Sequence, residues 1–267
     1  MKVKTQTFKF RDVYASASMV EYAVGQSYMF GEIQWDLPDL VKSLYVCSKT
    51  SLLHYFIYTS ISQSDTEEYR DNSDMYYNER VEREVEQIFS EYGIAISPFA
   101  NFDDSLEYAS DEPGIDNDPF FRWFLHERNK FEQLWELMTG EVFHLLFANR
   151  SILLQFNRSL AEFLKTGAVA IPSEYLDAKG VIKRNTIPNW AKKAVFYRDQ
   201  GRCVFCQRDL SGLLSTDRIL HYDHMVPLNL WGTNDPCNIQ LLCGECNLKK
   251  SGAIIETGTR YAPWWVD

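Results

Sequence analysis

With 267 residues, 45% of them hydrophobic, the chain can bury a real core, and its length suits two domains better than one. A net charge of −10 argues against a uniformly basic nucleic-acid coat, and no uncharged apolar run reaches bilayer-spanning length, which excludes a helical membrane protein. The opening residues MKVKTQTFKF alternate charged and apolar side chains without the apolar core of a signal peptide, so a soluble, cytoplasmic protein with no membrane partner is expected.

Residues 1–35 combine short alternating stretches with Gly25 and Gly31 and predict one or two strands. From Pro38, apolar residues at Leu40, Val41, Leu44, Tyr45, Leu52, Leu53 and Phe56 predict a helix over roughly 38–60. Tyr77, Val81, Val85, Ile88, Phe89 and Tyr92 fall on one face of a second helix ended by Gly93. Residues 103–118 hold seven acids, no base and a Pro-Gly pair, and read as an exposed acidic loop. Two aromatic-rich helical stretches follow, from Pro119 to Met138 and, after Gly140, from Val142 to Leu164. His54, His126 and His144 lie within these helices without acidic or cysteine partners at ligand spacing and read as structural.

The glycines, proline and polar residues of 166–186 mark a domain boundary. The expected architecture is α+β, with a mainly helical domain over 1–180 followed by a small domain over 181–267. Charge divides the same way: Val181–Asp267 carries 11 Lys+Arg against 8 Asp+Glu, or +3, which leaves 16 against 29, or −13, for residues 1–180. The acidic part is therefore a poor direct binder of DNA and is expected to regulate, to self-associate or to dock a protein partner.

A short helix after Pro188, closed by Gly201, leads into the most ordered stretch of the chain. Two Cys-x-x-Cys knuckles, Cys203/Cys206 and Cys243/Cys246, can each turn two thiolates towards one metal, and together they complete a tetrahedral site of the structural zinc type. Free or redox-active thiols are the alternative. Cys237 reads as a small packing residue. Between the knuckles lie HYDHMVPLNL and the Asn238 that opens NIQLLCGECNLKK. An imidazole is suited to take a proton near neutral pH, and carboxylate and amide oxygens suit a hard divalent cation.

On these residues, the segment from about 185 to 252 resembles the HNH endonucleases, specifically their zinc-containing four-cysteine branch. The resemblance implies a ββα-metal fold in which Asp223 is the first ligand of a catalytic Mg2+ or Mn2+, His224 the general base, Asn238 the asparagine that pins the loop and Asn247 the last metal ligand. Asn247 stands where many members carry histidine. It further implies DNA as substrate, with RNA possible, and 5′-phosphate and 3′-hydroxyl products. By analogy of domain order, a C-terminal nuclease module of this kind suggests a bacterial or phage (antiviral) defence effector. A zinc-stabilised nucleic-acid-binding module without cleavage is the alternative reading. Arg202, Arg208, Lys249 and Lys250 are candidate phosphate contacts, and His221, which shares strand parity with Asp223, is a candidate accessory residue.

Overall fold

The computed structural model describes residues 7–71, 79–102, 119–212 and 219–262. Contacts divide the chain into two compact units, one of Met1–Met19 with Ile57–Val142 and the other of Val20–Phe56 with Phe143–Asp267. Among the described residues no helix is long and apolar enough to cross a membrane.

The elements of the helical part are α1 (Val13–Val24), α2 (Pro38–Ser43), α3 (Leu52–Asp71), α4 (Glu79–Tyr92), α5 (Pro119–His126), α6 (Arg128–Leu146) and α7 (Arg150–Lys165). Of the strands expected in residues 1–35, none forms among the described residues 7–35, where Val13, Ala17, Val20 and Val24 are buried at helical spacing on α1, while residues 1–6 lie outside the described residues. The single helix expected over 38–60 is interrupted by the polar run Ser48–Ser51, because Ser51 caps α3 instead of continuing a helix: its hydroxyl and its backbone N–H both meet Nδ1 of His54, at 2.8 and 3.0 Å. α4 ends at Gly93, which takes a left-handed φ of 72°. The break expected at Gly140 falls later, where Asn149 caps α7 by accepting from Ser151 and Ile152 N–H. The acidic run 103–118 lies outside the described residues.

The first unit is held by an aromatic core. Phe131 packs edge-on against Phe89 and Phe124, with ring centroids 4.8 and 4.7 Å away, and Trp123, Phe120 and Trp135 are fully buried beside it. Its buried Glu141 carboxylate accepts from the Lys9 and Phe10 backbone N–H groups and from the Tyr92 hydroxyl, which satisfies a charge that would otherwise be costly inside.

The second unit contains the aromatic cluster Phe30, Phe56 and Phe156 and the small α/β module. That module runs α8 (Asn189–Arg198), β1 (His221–His224), β2 (Ile239–Leu242) and α9 (Gly244–Lys250). The strands pair antiparallel with Asp223 opposite Gln240 and His224 opposite Ile239. Val195, Val204, Leu210, Ile239, Leu241 and Leu242 form the module's core. At the end of α8, Asp199 accepts from Leu241 N–H at 2.9 Å and is clasped by Arg198 and by Arg150 of α7, so the helix fixes the outer edge of β2.

After α9 the chain returns as a strap along the module. The buried Arg150 guanidinium donates to the carbonyls of Gly258 (2.6 Å) and Arg260 and lies over the Tyr261 ring. A Cβ placed on Gly258 would sit 1.8 Å from the Val204 carbonyl oxygen, beside the first knuckle. Gly258→Ala is therefore expected to lower stability by about 1–3 kcal/mol, as overpacking does, seen as a fall of several degrees in a thermal melt.

Burial pushes the His54 imidazole, stacked on Phe143, down to about 4. A neutral ring is what lets Nδ1 accept from Ser51. Because the folded value lies below the unfolded one of about 6.5, this contribution is present at neutral pH and is lost as pH falls from about 6.5 through about 4, by at most roughly 3 kcal/mol. Asp235, which burial pushes up to about 6, acts in the opposite sense, its contribution being lost as pH rises through about 6. A His54→Gln variant retains that acid, so the expected result is a smaller drop in melting temperature between pH 7 and pH 5 than in the unaltered protein.

Candidate active site and zinc centre

The two knuckles converge. Cys203 and Cys206 lie on a tight turn closed by Cys203 N–H to the Arg208 carbonyl and by Gln207 N–H to the Cys203 carbonyl, with Gln207 at a left-handed φ of 60°. Cys243 caps α9 and Cys246 sits in its first turn. The four sulfurs all lie within 4.8 Å of one another, and Cys206 and Cys243 are 3.7 Å apart. A tetrahedron with Zn–S bonds of about 2.3 Å has edges of about 3.8 Å, so the donor set and its spacing fit zinc. Burial alone would raise the Cys203 thiol, but N–H groups of Cys206, Cys243 and Phe205 outweigh it and hold Cys203 below its ordinary value, towards the thiolate that a metal needs.

β1 leads from this cradle to the residues between the knuckles. Asn238, fully buried, donates to the carbonyls of Val226 and Thr233, both at 2.9 Å, and accepts from Val226 N–H at 2.8 Å. One side chain thus closes the loop 226–238. Asn238→Ala would leave three buried backbone groups without partners at about 1–3 kcal/mol each, so a loss of roughly 3 kcal/mol or more is expected, together with faster amide exchange confined to that loop.

His224 is 2% exposed, and its Nε2 lies 3.3 Å from Oδ1 of Asn234. The Asn234 amide is oriented by its other contacts, because Nδ2 donates to the Lys183 carbonyl at 3.0 Å and Oδ1 accepts from Asn185 N–H at 3.3 Å. The acceptor face of Asn234 therefore meets Nε2, which assigns the proton to Nε2 and the lone pair to Nδ1. Burial pushes the imidazole down to about 4, and Arg184 adds to this while Asp223 opposes it. The ring is neutral at pH 7.

Asp223 is partly exposed. Its Oδ2 receives the Lys250 ammonium at 2.8 Å and the Gln240 amide at 3.4 Å, whereas Oδ1 accepts no hydrogen bond among the described residues. Lys250, taken from sequence as a phosphate contact alongside Lys249, is 3% exposed, and its ammonium also donates to the His224 carbonyl at 2.7 Å. Its charge is spent inside the protein, because it projects from α9 one turn after Asn247 and faces β1. Asn247 itself meets His221, with its Nδ2 3.3 Å from Nδ1 of the ring. Lys249 is exposed, Arg208 faces Glu245 at 3.3 Å, and Arg202 donates to the Gln207 carbonyl.

Asp223 and His224 line an open cleft of about 260 Å³, whose other wall includes Asp177 and Arg184 from the segment before α8. By sequence that segment reads as a domain boundary. Asn234 carries no local mark either: a lone asparagine in Thr-Asn-Asp-Pro resembles any turn residue. The loop carrying it is anchored far upstream, with Asn234 N–H on the Leu44 carbonyl, the Cys47 thiol on the Asn234 carbonyl, and Asp235 accepting from Leu52 N–H at 2.7 Å.

Four clustered cysteines at the start of a helix, beside two antiparallel strands that carry Asp-His, make a small ββα module with a candidate zinc site. Residues 203–252 match the family model described as HNH endonuclease. A search of curated proteins and one of solved structures each return no match for the chain.

Proposed function

We propose that the chain is a divalent-metal-dependent endonuclease that hydrolyses phosphodiester bonds in DNA, with His224 as general base. The observation that supports this most is the pairing of a neutral, oriented His224 with a partly free Asp223 carboxylate on one cleft. His224 holds its Nε2 proton against Asn234 and offers Nδ1 to a water molecule, so that the water is deprotonated as it attacks phosphorus. A phosphate in the cleft brings negative charge close to the ring and raises its affinity for that proton towards the working pH.

Asp223 through Oδ1 and Asn247 through its side-chain oxygen are the groups that would hold Mg2+ or Mn2+, which when bound stabilises charge on the leaving oxygen. Lys250 keeps the Asp223 carboxylate in place, and Asn238 keeps the loop closed behind His224. Zinc on the four cysteines is structural. His221 orients Asn247, and Lys249 and Arg208 extend the phosphate-binding surface.

Residues 1–180, with their net charge of −13, serve in this reading as a regulatory or partner-binding part of a cytoplasmic defence effector. The test is cleavage of supercoiled plasmid and of single-stranded RNA by zinc-loaded protein with Mg2+, with Mn2+ and with neither. Divalent-dependent cutting of DNA is expected. Cutting of RNA alone would replace the substrate, and binding without cutting would favour a non-cleaving module.

A further inference from the structure

We propose that the hairpin of residues 175–185, upstream of the HNH match, is a wall of the active-site cleft and that Arg184 on it binds a backbone phosphate of the polynucleotide. The inference rests on the nuclease reading for its substrate class, but the contacts that place Arg184 involve none of the four clustered cysteines.

The hairpin is a defined structure. Leu176 bridges Ile182, Lys183 N–H reaches the Tyr175 carbonyl, and Gly180 turns the chain at a left-handed φ of 77°. In its second arm, Lys183 places its ammonium over the Tyr45 ring and Asn185 donates to the Tyr45 carbonyl, whereas Arg184 between them lines the cleft together with His224 and Asp223. Asn234 fixes the distance: it holds the carbonyl of Lys183 and the N–H of Asn185, the residues on either side of Arg184, and touches the His224 ring with the same amide. Arg184 is thus clamped at both flanks by the residue that orients the general base.

Its guanidinium is exposed and has no carboxylate partner among the described residues. The neighbouring Asp177 is committed to the turn, its Oδ1 accepting from Lys179 and Val181 N–H at 2.8 and 3.3 Å. A planar cation in a cleft, held beside a base and left unpaired, is suited to a phosphate rather than to a protein carboxylate.

The test measures binding of a labelled DNA duplex across a salt series without added divalent ion, for the unaltered protein, Arg184→Ala, Arg184→Lys and Lys179→Ala, with melting temperature and zinc content recorded for each. Lys179→Ala removes the same charge from the same hairpin outside the cleft. Arg184→Ala is expected to weaken binding roughly tenfold and to flatten the log–log salt slope by about 0.9, at unchanged melting temperature, while Arg184→Lys keeps the slope and Lys179→Ala keeps both. Equal affinity and slope in Arg184→Ala, or an equal loss in Lys179→Ala, would overturn the assignment even if the protein cuts DNA. If the unaltered protein binds without cutting, the Arg184 result still decides this inference while the nuclease reading falls. If it neither binds nor cuts, both fall.

Discussion

Replacing His224 by alanine is expected to lower the single-turnover cleavage rate by about 10²–10⁴-fold, the range a positioned general base contributes. The same substitution leaves zinc content and duplex binding unchanged, and this separates a chemical role from a structural one. What the module needs from residue 224 is mostly backbone: its pairing with Ile239 and its carbonyl, which receives the Lys250 ammonium. Its side chain meets Asn234, whose amide keeps its bonds to Lys183 and Asn185 without it. His224→Gln, which fills more of the space, is expected to be as inactive as alanine, because a neutral amide cannot take a proton from water. Loss of zinc or of binding in both variants would instead make His224 a packing residue.

The second large effect concerns the cradle. Cys243 begins α9, the helix that carries Asn247 and Lys250, and its sulfur is 3.7 Å from that of Cys206. Zinc on such a site supplies folding free energy directly, about 10–16 kcal/mol in small zinc peptides, and the module's own core is small. Cys243→Ser is expected to abolish stoichiometric zinc and to open residues 203–252 to protease. It should lower the melting temperature by roughly 10 °C or more if only about 4–5 kcal/mol of that energy is lost. The two metals separate in a chelation experiment. Brief EDTA treatment should stop cleavage reversibly with zinc still bound one per chain, whereas prolonged chelation with a thiol-directed reagent should release zinc and the fold of the module together.

The parts of this site that were legible in the sequence are those where chemistry demands a particular residue at a short spacing. Cys203, Cys206, Cys243 and Cys246 show themselves because two thiolates on one turn need two intervening residues, whereas Asp223 and His224 stand out only through the resemblance to the HNH pattern, since neighbours on a strand project to opposite faces. The helices around Phe120, Phe131 and Phe156 show themselves through period alone. What stayed hidden depends on contacts between backbone groups far apart in sequence. No pattern in residues 44–52 announces that Leu44 and Leu52 hold the loop of Asn234 and Asp235, since what they contribute is a carbonyl and an N–H. The hairpin of Arg184 carries the glycine and polar residues of a linker, and only its bonds to Asn234 bring it to the cleft. Lys250 misled in the opposite way: two adjacent lysines look like surface, yet residues 249 and 250 lie about 100° apart around a helix, so one faces water and the other β1.

The most direct test of the central claim, water activated beside His224 and delivered to a phosphodiester in this cleft, is a single-turnover cleavage of duplex DNA in ¹⁸O-labelled water with Mg2+ and zinc-loaded protein, read by mass spectrometry of the product ends. The expected result is one ¹⁸O atom in a new 5′-phosphate, a free 3′-hydroxyl on the other fragment, and no product from His224→Ala. A zinc-loaded, folded protein that binds DNA but yields no labelled end with either Mg2+ or Mn2+ would contradict it.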